Sequence, residues 1–334
     1  MQLRVGVIGA GSWGTTVAAL VSRNAPTMLW ARRPEIADEI NEKRTNEVYL
    51  PGSRMPKSLR ATASIEDAVS SADVVIMGVP SHGFRAVLTQ VAKHIRPWVP
   101  VISLAKGLEE TSLLRMTEIV SELLPGHPAG VLTGPNLSRE IMAGYAAAAV
   151  VAMDDEVIVT ELQDLLKTGL FRVYTNRDVI GCEIGGALKN VIAIASGMGD
   201  GMGVGDNTRS AVITRGLAEL TRLGVAMGGQ PQTFAGLAGM GDLVATCTSR
   251  QSRNRYVGEQ LGRGRTLSEI VEDMHMVAEG VQTCKVVMQL AERYGVEMPI
   301  AREVYAVVHG NSTPSRAYRG LIRRIAAGSE QEPG

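Results

Sequence analysis

The chain has 334 residues, 45% hydrophobic and 20% charged, an ordinary globular composition that excludes intrinsic disorder and suffices for roughly two domains of about 150 residues each. Lys plus Arg number 34 against 34 Asp plus Glu, so no basic footprint points to nucleic acid or an anionic membrane, and an anionic ligand must be met by a local site. The three cysteines, Cys182, Cys247 and Cys284, are dispersed and form no Cys-x-x-Cys pair, which argues against a disulfide framework and for a reducing compartment. Arg4 interrupts the apolar run of the N-terminus, so no export signal is expected. The longest weakly polar stretch is read as Ala143–Met153, far short of the ~20 residues of a membrane helix. A cytoplasmic protein with no membrane segment is therefore expected.

In chain order, short apolar runs alternate with helix-period segments. Strands are predicted over Arg4–Ile8, Thr27–Ala31, Val74–Gly78, Val101–Leu104, Ala129–Thr133, Ala147–Met153 and Phe171–Thr175. Helices are predicted over Ser12–Arg23, Pro34–Arg44, Gly83–Lys93, Leu113–Leu124 and Glu156–Lys167. This alternation specifies an α/β, Rossmann-type domain with a mainly parallel sheet, placed at 1–180. Beyond Arg177 the β-rich runs stop. Ile184, Leu188, Val191, Ile192 and Ala195 recur at helical spacing within a helix predicted over Cys182–Ser196. Ile213, Leu217, Leu220 and Leu223 recur likewise, with Gly224 placed to end that helix. An all-α substrate domain is expected over 181–325 and a polar tail over 326–334. Glycines crowd between Gly181 and Gly241 among apolar residues, which reads as close helix packing rather than a linker.

Gly9-x-Gly11-x-x-Gly14 follows the first strand and opens a helix. In that setting the first glycine permits the turn, the second lets backbone approach a pyrophosphate, and the third lets helix and strand pack. Ser12 and Trp13 sit at the mouth of the turn, Trp13 as a packing residue or a cofactor contact. The ribose-reading position, about 20 residues on, offers Arg32 and Arg33 with no carboxylate before Glu35. Paired guanidinium groups suit a 2′-phosphate, so NADP(H) is expected ahead of NAD(H).

Lys106 and the Gly134-Pro135-Asn136 loop each follow a buried strand, where open α/β sheets bind ligands. Lys189 lies one position off its helix's apolar stripe, above Gly186 and Gly185, so it projects over a surface without side chains. Two interior glycines each destabilise a helix by about 1 kcal/mol relative to Ala, which suggests that something else requires the space. Asp242, in the apolar Gly239–Leu243 segment, needs a cationic partner, and a lysine is the obvious one. Ser252, Arg253 and Asn254 supply consecutive donors suited to a phosphate or carboxylate. The five histidines are scattered without metal-ligand spacing and read as structural or exposed, so no metal is expected.

GAGSWGTTVA, NEVYLPG from Asn46, SLAKGLE, TGPNLSREI, EIGGALKNVIAIASG, AGMGDLVATC and SRNRYVG, in that order along nearly the whole chain, together resemble the bacterial NAD(P)-dependent glycerol-3-phosphate dehydrogenases. The resemblance implies a Rossmann domain followed by a helical domain like that of 6-phosphogluconate dehydrogenase. It also implies interconversion of dihydroxyacetone phosphate and sn-glycerol 3-phosphate, in the reductive direction that feeds phospholipid synthesis, and a homodimer. Carried over by motif, it assigns cofactor contacts to Ser12, Trp13, Arg32, Arg33, Lys106, Ser138, Arg253, Val277 and Glu279. Substrate contacts fall on Lys106, Gly134, Asn136, Lys189, Asp242, Ser252, Arg253 and Asn254. Lys189 is implied as proton donor and acceptor, with Lys106 and Asp242 assisting. Ser138 and Ala146 depart from the alanine and proline common in the family. Two other readings stand beside this one: a related 3-hydroxy acid dehydrogenase, and an NADP(H)-sensing protein without turnover.

Overall fold

A computed structural model describes residues 3–274 and 278–324; His275, Val277 and the tail expected over 326–334 lie outside the described residues. The chain forms two compact units. One comprises the chain up to Lys106 and Leu114–Val179, the other Gly107–Leu113 and the chain from Ile180 onward. The 107–113 segment, read from sequence as part of the first domain, belongs with the second because Leu108 is buried in that unit's core.

The first unit holds one eight-stranded sheet: β1 (Val5–Ile8), β2 (Thr27–Trp30), β3 (Leu59–Thr62), β4 (Val74–Met77), β5 (Val101–Ser103), β6 (Ala129–Thr133), β7 (Ala147–Met153) and β8 (Phe171–Asn176). Spatial order is β3-β2-β1-β4-β5-β6-β7-β8, and every neighbouring pair is parallel except β6 with β7. Strands such as β1 and β4 are buried along their whole length, which is why they read as unbroken apolar runs: helices cover both faces. β3 and the short helices Ile65–Val69 and Ser138–Met142 were not foreseen. β3 is only four residues long, lies at a sheet edge and exposes Arg60, so its pattern is too short to distinguish from a loop. The predicted Leu113 helix begins at Met116 instead, because Leu113 takes a positive φ of 63° and the Glu118 carboxylate caps the Arg115 N–H at 2.8 Å.

The second unit is helical. Its core helix runs over Val179–Met202, longer at both ends than predicted. By length and composition this helix could cross a membrane, which corrects the reading of 143–153 as the longest such stretch; 94% of its most apolar window is buried inside the fold. Neighbouring backbones reach it through its glycines. An added Cβ would lie 2.0 Å from the Arg255 carbonyl at Gly197 and 2.1 Å from the Glu259 carbonyl at Gly201. The facing helix, Arg253–Gly262, reciprocates: at Gly258 a Cβ would lie 2.0 Å from the Ile194 carbonyl.

Gly224 does not end its helix, which runs over Asp206–Ala226. Its missing side chain instead admits the Phe234 ring, whose Cζ would lie 2.1 Å from an added Cβ. The helix Pro299–Val308 has no side-chain cap of its own. Glu219, 3% exposed, caps it from the Asp206–Ala226 helix, accepting from the Ile300 N–H at 2.7 Å and the Ala301 N–H at 3.2 Å. Burial pushes the Glu219 carboxyl up to about 7, although these N–H groups, Arg222 and Arg215 pull it down. In the unfolded chain the carboxyl titrates near 4.5, so between those values the folded state holds the extra proton and stability falls as pH rises. The span corresponds to a loss on the order of 3 kcal/mol. Denaturant unfolding of wild type and Glu219→Gln from pH 4.5 to 8 should show this decline flattened in the variant.

Candidate active site

β1 delivers the chain to the point where the strand order reverses, between β1 and β4, the place at which open α/β sheets leave a ligand crevice. Gly9 turns there with a φ of 116°, and a Cβ on it would lie 2.7 Å from the Gly78 carbonyl. At Gly14 a Cβ would lie 2.0 Å from the Gly9 carbonyl, so only glycine lets the following helix settle on the turn. Gly11 is different: a Cβ there would meet nothing within 4 Å. The helix Ser12–Val21 then starts without a side-chain cap, leaving backbone N–H groups and the positive dipole end for an anion. An open side at Gly11 beside an uncapped helix start fits a dinucleotide pyrophosphate.

Ser12 commits its hydroxyl to the Tyr49 carbonyl at 2.9 Å, which leaves its backbone N–H for a cofactor. Trp13 packs against Phe171 with ring centroids 6.3 Å apart, and its buried indole N–H has no protein partner. Arg32 and Arg33 are exposed just beyond β2, and among the described residues no carboxylate is paired with either. The Arg33 guanidinium lies 5.7 Å over the centre of the Tyr49 ring.

Two loops meet at the ends of β5 and β6. The Lys106 ammonium donates to the Gly134 carbonyl at 2.7 Å, joining two residues that local sequence patterns could only place after separate strands. Gly134 has a φ of 122°, and a Cβ on it would lie 3.2 Å from the Ala149 Cα. The nitrogen and oxygen of the Asn136 carboxamide are both buried without a protein partner, as is the Thr133 hydroxyl. Buried polar groups are normally satisfied, so this carboxamide calls for a ligand. Ser138 opens the helix Ser138–Met142.

In the helical unit Lys189 is 4% exposed; its position off the apolar stripe puts it inside rather than on a solvated face. Its ammonium pairs with the Asp242 carboxylate at 2.9 Å and donates to the Thr246 hydroxyl. Thr246 in turn donates to the Asp242 carbonyl at 2.6 Å. Gly185 supplies the room: a Cβ there would lie 2.7 Å from the Ala238 carbonyl, in the π-helical turn Leu237–Gly241 that leads into the helix Asp242–Thr248. Thr246 was missed from sequence, and its signal was the four-residue helical spacing from Asp242.

The Ser252-Arg253-Asn254 run is more divided than its donors suggested. The Ser252 hydroxyl accepts the Arg255 N–H at 3.2 Å as an N-cap, and the Asn254 side-chain Oδ1 accepts the Gly280 N–H at 2.9 Å. Arg255 is tied to Asp200 at 2.8 Å and Glu259 at 3.2 Å. Arg253 is the exposed member, at the start of the helix Arg253–Gly262. Glu279 opens the helix Glu279–Tyr294, and the predicted contact of Val277 falls outside the described residues. Among the described residues no three His, Cys, Asp or Glu side chains are grouped to hold a metal.

A reversing parallel sheet with an open glycine turn, accompanied by a helical unit that buries a lysine against a carboxylate, defines a nicotinamide-dinucleotide-linked oxidoreductase. Residues 4–159 match the N-terminal domain and residues 178–319 the C-terminal domain of the NAD-dependent glycerol-3-phosphate dehydrogenases, and the chain belongs to that family. It is 60% identical over 334 residues, all of both chains, to glycerol-3-phosphate dehydrogenase (NAD(P)+) 2 of Sphingopyxis alaskensis. Against the Mycobacterium avium glycerol-3-phosphate dehydrogenase (NAD(P)+), identity is 57% over 96% of this chain and 95% of that one. The crystal structure of the Coxiella burnetii glycerol-3-phosphate dehydrogenase superimposes with a TM-score of 0.92 at 35% identity, over 97% of this chain and 99% of that one. Ketopantoate reductase of Ralstonia eutropha, at 16% identity and a TM-score of 0.62, covering 94% of this chain and 99% of its own, shares the fold.

Breaking a buried ion pair from one side leaves the other charge uncompensated and destabilises by about 3 to 5 kcal/mol. Asp242→Ala should therefore lower the unfolding free energy by that order at neutral pH, as read by denaturant titration. A loss below about 1 kcal/mol would show that water reaches the ammonium.

Proposed function

We propose that the chain reversibly reduces dihydroxyacetone phosphate to sn-glycerol 3-phosphate with NADPH, accepting NADH less well, and that Lys189 supplies and recovers the proton. The buried Lys189–Asp242–Thr246 cluster, in a chain 60% identical over its length to a glycerol-3-phosphate dehydrogenase, carries this reading. The bound nicotinamide supplies the hydride. An ammonium has three donors; Asp242 and Thr246 accept two, and the third is available to the oxygen that becomes an alkoxide. Asp242 holds the ammonium in orientation and offsets the charge it buries. Lys106 is assigned to substrate and cofactor, and Asn136 to substrate, which would satisfy its unmet carboxamide.

Arg253 is assigned to the substrate phosphate and the cofactor, with Ser252 and Asn254 shaping the loop beside it. The roles of Gly134, Ser138, Val277 and Glu279 rest on the family resemblance alone. A cytoplasmic homodimer serving phospholipid synthesis belongs to the same proposal. The direct test is loss of reduced-nicotinamide absorbance on adding dihydroxyacetone phosphate, run with each cofactor. Turnover with a non-phosphorylated keto acid instead would favour a 3-hydroxy acid dehydrogenase, and binding without turnover would favour a sensor.

General acid catalysis contributes about 10² to 10⁴ in rate. Lys189→Ala should bind cofactor yet lose turnover by at least 10²; near-normal turnover would remove Lys189 from the chemistry. Arg253→Lys keeps the charge and loses the planar fork, so KM for dihydroxyacetone phosphate should rise by an order of magnitude or more, and an unchanged KM would return Arg253 to a surface role. Well-formed charge-assisted contacts contribute about 1.5 to 3 kcal/mol each, so Arg32 and Arg33 on a 2′-phosphate should favour NADPH over NADH by about tenfold or more. The double change Arg32→Asp with Arg33→Ala should erase that preference while sparing NADH, and the wild-type preference should shrink as ionic strength rises.

A further inference from the structure

The NEVYLPG segment carries no assigned role, yet four of its contacts run to the glycine turn, its helix and Arg33. Asn46 is fully buried, and its Nδ2 donates to the Ala10 carbonyl at 3.0 Å and to the Thr15 hydroxyl at 2.9 Å. A trans peptide points its carbonyl and the following N–H in opposite directions, so pinning the Ala10 carbonyl to Asn46 turns the Gly11 N–H away from this segment. Three residues on, the Tyr49 carbonyl accepts the Ser12 hydroxyl at 2.9 Å, while its ring lies under the Arg33 guanidinium at 5.7 Å. The segment is itself tightened by the Leu50 N–H, which donates to the Asn46 carbonyl at 2.7 Å, with Leu50 fully buried. A short clasp thus joins the turn that would meet the pyrophosphate, common to both cofactors, to the arginine that would meet the 2′-phosphate of one.

We propose that Tyr49 is a positioning residue for cofactor choice: its ring holds Arg33 in place for the 2′-phosphate, while Asn46 fixes the glycine turn for either cofactor. The inference rests on the assignment of Arg33 to the 2′-phosphate. An arginine on an exposed side chain samples many rotamers, and a ring face beneath it reduces that freedom and adds attraction. Removing the ring should raise the Kd for NADPH by about two- to fivefold, the range of an exposed cation–π contact, and leave the Kd for NADH unchanged.

The test measures both dissociation constants by reduced-nicotinamide fluorescence on the full chain, without substrate, for wild type, Tyr49→Leu, Tyr49→Phe, Arg33→Ala and the Arg33→Ala/Tyr49→Leu pair. Leucine preserves apolar packing at this half-buried site, and phenylalanine preserves the ring. The expected result is a selective loss of NADPH affinity in Tyr49→Leu, recovery in Tyr49→Phe, and no further loss when Tyr49→Leu is added to Arg33→Ala. Asn46→Ala should weaken NADPH and NADH by the same factor. If Arg33→Ala leaves the ratio of the two constants unchanged, the arginine assignment itself fails. If Arg33→Ala shifts the ratio while Tyr49→Leu does not, or shifts it independently of Arg33, the positioning role alone is overturned. Equal weakening of both cofactors by Tyr49→Leu would make the ring a structural support of the turn and overturn that role too.

Discussion

The helical unit depends on how closely backbone can approach the helix Val179–Met202. Helices normally pack 8 to 10 Å apart because side chains intervene; here Gly197 and Gly201 meet the Arg253–Gly262 helix, whose Gly258 meets Ile194 in return. The same device at Gly185 admits the Ala238 carbonyl and so sets the start of the helix that bears Asp242 and Thr246. A side chain at Gly185 would displace the turn that leads to Asp242, the carboxylate paired with the Lys189 ammonium. Two groups distant in sequence are paired in the interior because one helix has no side chains where the other must pass.

Burial then governs what each polar group can do. Lys189 and Asp242 satisfy each other with Thr246 between them, an arrangement that makes the charge tolerable inside protein and holds the ammonium in one geometry. Glu219 solves a different problem, capping a helix that begins on proline and lacks its own cap. By contrast, the Asn136 carboxamide and the Trp13 indole N–H are buried with nothing to bind. Satisfied groups build the scaffold, whereas the Asn136 carboxamide and the Trp13 N–H keep hydrogen-bonding capacity that no protein group uses.

The loops use their residues twice. Ser12 begins the glycine-turn helix and ties down Tyr49. Ser252 caps the helix at whose start Arg253 stands, and Asn254 fastens the chain at Gly280, where a Cβ would lie 2.7 Å from the Asn254 side-chain oxygen. A motif residue can thus matter to binding through backbone it immobilises as much as through atoms it presents. This is why, of Ser252, Arg253 and Asn254, read from sequence as a row of donors, Arg253 alone stands at the surface.

Local rules sufficed wherever the determining forces were local. Unbroken apolar runs marked strands buried on both faces, Gly9, Gly11 and Gly14 marked a turn that side chains would obstruct at its first and third glycines and that stays open at the second, and the change from strand-length to helix-length periods near Arg177 marked where the sheet ends. Lys189 stood out because its helix gives up stability for Gly185 and Gly186, a local anomaly that implied a neighbour without naming it. Tertiary structure alone decided what that neighbour was. The Ala238 carbonyl, the Phe234 ring against Gly224, the Asn46 side chain on Ala10 and the Arg33 guanidinium over Tyr49 are contacts between segments whose spacing along the chain carries no periodic signal. Their partners are selected by close packing in three dimensions, and a glycine read alone looks the same whether it ends a helix or lets another chain segment through.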